Sequence, residues 1–235
     1  MKPIEKNFKD KRTDRQSDNN KIVYDSIMTN NMKIFYENIN EKEFERTLKD
    51  LEMIEEEFII KCKKDPDFCK VSCRLISKNA SRQGTKDESE QIKTCNITAQ
   101  KCGINITQLS QKELRPTKDG FIVSKDEMKS KKINKDDCYK TFDASISGKM
   151  NGFITAKVTL GSGGHQDNVF EELDTMAKWW KTHKCKIEEI LIVLFDTDSM
   201  DHFIRLKKKY NDVDNIMVFN HVEFQQYMID TYESI

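Results

Sequence analysis

Long hydrophobic runs are missing from this sequence. None of its segments approaches the roughly 20 consecutive apolar residues that a membrane-spanning helix needs. The first segment, MKPIEKNFKDKRTDRQSDNN, also lacks the apolar core of a secretory signal peptide. We therefore expect an intracellular, cytoplasmic protein that has no membrane as a partner.

Net charge is also absent, because 40 Lys and Arg residues balance 40 Asp and Glu residues. A chain without a large field is not expected to coat nucleic acid or a membrane with its whole surface. An enzyme that contacts a few phosphates needs only a local basic surface. The balanced charge therefore leaves DNA open as a substrate.

Closely paired cysteines are missing as well. The chain has seven cysteines, an odd number that favours reduced thiols over a disulfide scaffold. Cys62, Cys69 and Cys73 are close in sequence, but they form no CxxC pair of the kind that zinc sites use. We expect buried or surface thiols at these positions and no zinc.

The N-terminal third is predicted to contain an arm and a helical part. Residues 1–20 have few apolar side chains to offset the entropy of ordering, which predicts a disordered arm. Residues 21–80 are predicted to form a helical part that packs on the core. Within it, EKEFERTLKDLEMIEEEFIIKC has the apolar spacing of one amphipathic helix, which ends before Pro66. The apolar stripe of this helix comprises Phe44, Leu48, Leu51, Ile54 and Phe58.

Residues 81–235 are predicted to form an α/β core. Gly84 and the polar residues after it predict the capped start of a helix. From residue 138 the pattern follows the order β-β-α-β-α-β-α, and it begins with a hairpin formed by CYKTFDASI and GFITAKVTL. This order predicts a mixed central sheet flanked by helices.

The predicted hairpin carries residues suited to phosphodiester cleavage. Asp143 in its first strand and Lys157 in its second could lie side by side. Carboxylate oxygens are the ligands that Mg²⁺ prefers, and a lysine can hold the attacking water or stabilise developing charge. Thr155 faces the same side of the strand as Lys157, because the two are separated by two positions. The next carboxylates, near the start of the following helix, are Asp167, Glu171 and Glu172.

Asp143, the TAK of residues 155–157 and Glu171 resemble the active site of the PD-(D/E)XK nucleases, the superfamily that contains most type II restriction endonucleases. Thr155 stands where the motif has its (D/E) residue, so one metal ligand is replaced. The resemblance is to the variant in which this acid has moved to the next helix. Thirteen residues separate Lys157 from Glu171, which fits that variant.

In this variant, Asp143 and Glu171 are predicted to bind the metal, with Asp167 or Glu172 as the alternatives to Glu171. Many members of the superfamily carry a glutamate on an N-terminal helix near the site, and Glu88 matches it. The resemblance thus implies a restriction-endonuclease-like fold with four catalytic residues, Asp143, Lys157, Glu171 and Glu88.

The implied activity is that of a Mg²⁺-dependent type II restriction endonuclease. Such an enzyme cleaves double-stranded DNA at a short, palindromic site and leaves 5′-phosphate and 3′-hydroxyl ends. A palindromic site is met by a two-fold symmetric homodimer. The resemblance further implies a cognate DNA methyltransferase in the same bacterial or virus-infected host.

Base recognition is expected to come from the loops beside the catalytic strands. Arg suits guanine, and Asn and Gln suit adenine. The segments SRQGTKDE and GGHQDN supply the candidates, which are Arg82, Gln83, His165, Gln166 and Asn168. The second segment is equally consistent with a flexible loop that caps a helix.

Other functions fit the same sequence. LIVLFDTDSMD places Asp196 and Asp198 at the end of a buried strand, where phosphotransfer enzymes of the haloacid-dehalogenase or topoisomerase-primase type hold Mg²⁺. The same residues could instead cap the next helix. A non-catalytic DNA-binding module on the nuclease fold is another alternative, as is a repair or recombination nuclease.

Overall fold

The computed structural model describes residues 3–79, 84–110, 113–160, 165–184 and 188–232, with only the backbone at 3–7, 84–85 and 165–166. The chain divides into two compact units. One comprises residues 6–83, and the other comprises residues 84–235 with residues 1–5. No helix in the described ranges is both long enough and apolar enough to span a membrane.

The first unit is helical. Its elements are α1 Pro3–Met28, α2 Met32–Asn38, α3 Glu41–Asp50, α4 Glu55–Lys64 and α5 Pro66–Ile76. Its core combines Phe35, Phe44 and Phe58, which pack edge to face, with the thiols of Cys62, Cys69 and Cys73. α4 ends before Pro66, as predicted, and Asp65 caps α5 by accepting from the backbone N–H groups of Asp67 and Phe68.

Two features of this unit differ from the sequence-based expectation. α1 occupies most of the segment for which a disordered arm is predicted, because tertiary contacts hold it. Within that segment Phe8 is 2% exposed, and the Asn19 amide donates to the carbonyl oxygen of Lys78 at 2.9 Å. The predicted single amphipathic helix is interrupted between α3 and α4, where Glu52 has a φ of 51°.

The second unit alternates helices and strands. Its elements are α6 Gly84–Lys101, β1 Ile104–Gln108, β2 Leu114–Pro116, β3 Ile122–Ser124, α7 Lys125–Ser130, β4 Ala144–Gly148, β5 Gly152–Thr159, α8 His165–Lys184, β6 Ile190–Thr197, α9 Met200–Tyr210, β7 Ile216–Phe219 and α10 His221–Tyr232. The predicted order β-β-α-β-α-β-α is confirmed from β4 to α10.

Five of these strands form one mixed sheet in the order β1-β4-β5-β6-β7. β1, β4 and β5 pair antiparallel, whereas β5, β6 and β7 pair parallel. β2 and β3 form a separate antiparallel hairpin. The predicted α/β class with a mixed central sheet is confirmed.

Helices cover both faces of the sheet. Leu191, Val193 and Phe195 of β6 pack in a cluster with α8 and α9, while Ile192 and Leu194 pack in a second cluster with α6 and α10. The continuous apolar run of β6 is explained by this burial on both faces. β5 and β6 are parallel, so their carboxyl ends lie at the same end of the sheet. α8 begins at this end, because it follows β5 in the chain.

Candidate active site

Asp143 lies where β4 begins, opposite the second half of β5. The backbone N–H of Asp143 donates to the carbonyl oxygen of Ile154 at 2.9 Å. Its carboxylate then accepts from the backbone N–H of Ala156 at 2.7 Å. The carboxylate of Asp143 thus takes the place of a backbone carbonyl as the acceptor for the Ala156 N–H. This hydrogen bond holds the carboxylate beside β5.

Lys157 lies near the carboxyl end of β5 and points into a group of carboxylates. Its Nζ atom donates to Oε1 of Glu88 at 2.9 Å and lies 3.2 Å from Oε1 of Glu172. Only 15% of its side chain is exposed. We call Asp143, Lys157, Glu88 and Glu172 the Lys157 cluster.

Three elements that are distant in sequence supply the carboxylates of this cluster. Glu88 lies in the first turns of α6, Asp143 precedes β4, and Glu172 lies in the second turn of α8. α6 and α8 cover opposite faces of the sheet, so their acidic side chains meet at the carboxyl end of β5. Glu172 also forms an ion pair with Lys140, whose side chain is 70% exposed.

The charges of the cluster shift several pKa values. Burial lowers the pKa of Lys157, but the carboxylates of Asp143, Glu88 and Glu172 outweigh it and hold the pKa above its ordinary value. Burial raises the pKa of Asp143 and that of Glu88, although Lys157 opposes both shifts. Lys157 is therefore a cation at neutral pH.

The donor set of this cluster fits a hard divalent cation. It offers only carboxylate oxygens, which are the ligands that Mg²⁺ prefers. Glu88 and Glu172 pair with Lys157, and Glu172 also pairs with Lys140, while the carboxylate of Asp143 is within electrostatic reach of both lysines. Across the described ranges, no group of His, Cys, Asp and Glu side chains is already gathered around a metal position. Asp143 and Glu172 would hold the ion once they turn towards it.

The structure brings Glu172, and not Glu171, to Lys157. Successive helical residues are rotated by about 100°, so these two glutamates face different directions on α8. Glu171, predicted as the second metal ligand, is exposed and lines a groove with Asp174, His202 and other residues of α8 and α9. Asp167, the other alternative, lies 3.2 Å from Nε2 of His202. Of the three acids that the sequence leaves open, Glu172 is therefore the one that the structure places beside Lys157.

The residues predicted to recognise bases are described only in part. Arg82 and Gln83 lie outside the described residues, and His165 and Gln166 begin α8 with side chains outside the description. Asn168 is exposed in the first turn of α8. It precedes Glu172 by four residues, so the two share a face of the helix. Asn168 is thus placed beside the Lys157 cluster.

Asp196, the first acid of the DxD segment, belongs to a buried network that the sequence does not reveal. Its side chain is fully buried, and its carboxylate accepts from Nε2 of Gln91 at 2.6 Å. Nδ1 of His221 lies 2.9 Å from the same carboxylate, and the backbone N–H of His221 points at it from the start of α10. These contacts tie α6, β6 and α10 together. They give Asp196 a structural role and provide no open oxygen for Mg²⁺.

Substitution of Asp196 by alanine is expected to lower the free energy of unfolding by about 3 kcal/mol, because it leaves Gln91 and His221 buried without their partner. Asp198→Ala is the control, with an expected cost of about 1 kcal/mol or less since Asp198 is only partly buried. Urea unfolding at neutral pH measures both. A stable Asp196→Ala protein that has lost a phosphotransfer activity would favour the DxD alternative.

The free energy of unfolding of the Asp143→Asn variant, relative to that of the wild-type protein, is expected to increase as the pH rises. Burial raises the pKa of Asp143, so the folded state binds this proton more tightly than the unfolded state. The wild-type protein therefore loses stability as the pH rises from the unfolded pKa, about 3.9, through the raised folded pKa. Asparagine does not titrate and still accepts from Ala156. Urea unfolding in EDTA across this pH range measures the difference between the variants, and a difference independent of pH contradicts the assignment.

Comparisons of the chain with models of protein families, with curated proteins and with solved structures gave no match. The function is therefore inferred from two observations. One is the geometry of the Lys157 cluster, and the other is the resemblance of its residues to the PD-(D/E)XK motif.

Proposed function

We propose that the protein is a Mg²⁺-dependent endonuclease that cleaves double-stranded DNA, with a restriction-endonuclease-like arrangement of its core. The observation that carries this proposal is the ammonium group of Lys157, which three separate elements surround with carboxylates at the end of β5. Holding three acids around a half-buried lysine is costly in free energy. Such a cost is typical of sites where chemistry requires the charges.

Each residue of the cluster has a role in this proposal. Asp143 and Glu172 would hold Mg²⁺, which would neutralise charge on the scissile phosphate. Lys157, a cation with a raised pKa, orients the attacking water and stabilises the developing negative charge. Glu88 fixes the position of the Lys157 ammonium through the 2.9 Å hydrogen bond. The water oxygen bonds to phosphorus and releases a proton to solvent, while the bond from phosphorus to O3′ breaks and O3′ takes a proton from solvent. These steps leave 5′-phosphate and 3′-hydroxyl ends.

Specific cleavage at a short site completes the proposal. Asn168 is exposed one helical turn before Glu172, and we propose that it contacts a base edge. A palindromic site requires a homodimer, and a cognate methyltransferase protects the host DNA. The activity that we propose is therefore that of a type II restriction endonuclease, with a repair nuclease as the alternative for the same chemistry.

A non-catalytic DNA-binding module is favoured by one observation, the buried threonine at position 155. Thr155 is 3% exposed in place of an acid. A module that only binds DNA gains nothing from a lysine held by three carboxylates, since these repel phosphate. Glu172 supplies the missing acid, so we rank cleavage above binding alone.

The test is incubation of the purified protein with unmethylated phage DNA in Mg²⁺ or in EDTA. We expect discrete fragments in Mg²⁺ only, with 5′-phosphate ends that a ligase can rejoin. Prior treatment of the DNA with methyltransferases of different specificity identifies the site by protection. DNA that stays intact in Mg²⁺ while the protein binds it would instead support the non-catalytic module.

A further inference from the structure

The carboxylate of Glu172 contacts two ammonium groups of very different exposure. Lys157 is 15% exposed and also pairs with Glu88, whereas Lys140 is 70% exposed and pairs with Glu172. One partner thus belongs to the interior of the cluster. The other lies at its opening to solvent.

The backbone holds Lys140 in this position. The N–H of Tyr139 donates to the carbonyl oxygen of Pro116 at 2.8 Å, and the N–H of Phe142 donates to that of Leu114 at 3.2 Å. Phe142 is also buried, with 1% exposure. The segment that carries Lys140 is therefore anchored along the β2–β3 hairpin, while the side chain of Lys140 is exposed and pairs with Glu172.

Lys140 also lies within electrostatic reach of Asp143. Its charge lowers the pKa of Asp143, although burial and other groups dominate that pKa. The exposed Lys140 ammonium can therefore attract a phosphate that approaches Asp143 and Lys157 from solvent. Lysine is a common point-charge ligand for phosphate.

We propose that Lys140 binds a backbone phosphate of the DNA next to the scissile phosphate, and that Glu172 covers Lys140 until a divalent cation takes the Glu172 carboxylate. This inference rests on the proposed nuclease function. It makes Lys140 a substrate-binding residue whose availability depends on the metal.

Little free energy is needed for Lys140 to leave Glu172 and bind a phosphate instead. Ion pairs that involve an exposed lysine contribute little to the free energy of unfolding, so little stability is lost when this one opens. A metal ion held by Asp143 and Glu172 repels the Lys140 ammonium and turns it outward. Lys157 keeps its hydrogen bond to Glu88 throughout, so the two lysines separate into a catalytic and a phosphate-binding group.

The experiment measures binding and not cleavage. The affinity of the protein for a fluorescent fragment of phage DNA is determined by anisotropy as a function of KCl concentration, once in Ca²⁺ and once in EDTA, and gels confirm that the DNA stays intact. The variants are Lys140→Gln, which removes the charge, and Lys140→Arg, which keeps it. Lys149→Gln is the matched control, because Lys149 is an exposed lysine in the β4–β5 turn at the opposite end of β5.

In Ca²⁺ we expect Lys140→Gln to weaken binding about five- to ten-fold and to lower the slope of log K against log salt by about 0.9, the value of one phosphate contact. Lys140→Arg and Lys149→Gln retain the wild-type affinity and slope. In EDTA the Lys140→Gln effect shrinks to about two-fold or less, because Glu172 still covers the lysine.

Two results overturn the inference in distinguishable ways. If the wild-type protein binds and cuts DNA but Lys140→Gln and Lys149→Gln behave alike, the phosphate contact is wrong and the nuclease function stands. An equal loss for Lys140→Gln in Ca²⁺ and in EDTA disproves the covering role of Glu172. If the wild-type protein neither binds nor cuts DNA, the proposed function and this inference both fail.

Discussion

Replacement of Lys157 by methionine is expected to slow DNA cleavage by about 10²–10⁴-fold, the range for loss of a group that positions a proton or stabilises developing charge. Methionine keeps the length and apolar part of the side chain but removes the ammonium. The attacking water then loses its donor, and the carboxylates of Glu88 and Glu172 lose the cation between them. The loss falls on the chemical step.

Single-turnover cleavage of phage DNA in saturating Mg²⁺ measures this effect. Lys149→Met, in the turn that precedes β5, is the matched control, and its rate is expected to stay within about two-fold of wild type because it lies far from the reacting atoms. Circular dichroism verifies that both variants are folded. A Lys157→Met protein that cuts at the wild-type rate contradicts the catalytic assignment.

Glu172→Gln is expected to reduce cleavage by about 10²–10³-fold, whereas Glu171→Gln changes it by about three-fold at most. The two glutamates are adjacent in sequence and carry the same charge, so each is the other's control. Of these two glutamates, only Glu172 contacts Lys157. Glutamine keeps the size of the side chain but is a poorer ligand for Mg²⁺.

A titration with Mg²⁺ separates the two glutamates further. Glu172→Gln is expected to shift the half-saturating Mg²⁺ concentration about ten-fold or more upward, since one of two anionic ligands is lost. Glu171→Gln keeps the wild-type value. The opposite pattern, with activity lost in Glu171→Gln alone, would restore the assignment that the spacing to Lys157 predicts.

The hairpin and the α/β order of the second unit are predictable from sequence because their signals are local. Turn residues separate β4 from β5, and the apolar run of β6 marks a strand buried on both faces. No local sequence signal predicts which face of α8 meets Lys157. This face depends on Val169, which is buried three residues before Glu172 and turns that side of the helix towards the sheet.

The breaks in the first unit are harder to predict, since the apolar period continues through them. Phe44 and Phe58 are buried, yet Ile54 between them is 59% exposed. The left-handed conformation of Glu52 changes the direction of the chain at a residue with no turn propensity of its own. Similarly, the bond between Asp196 and His221 joins residues 25 positions apart through the packing of α10, which no sequence pattern indicates.

The most direct test of the nuclease site is DNA cleavage by the wild-type protein and by Asp143→Asn, each in Mg²⁺ and in EDTA. Asparagine preserves the acceptor for the Ala156 N–H, and circular dichroism verifies that lost activity does not reflect unfolding. We predict discrete fragments only for the wild-type protein in Mg²⁺. Equal cleavage by the folded Asp143→Asn variant, or wild-type cleavage that persists in EDTA, would contradict a metal-dependent site at Asp143.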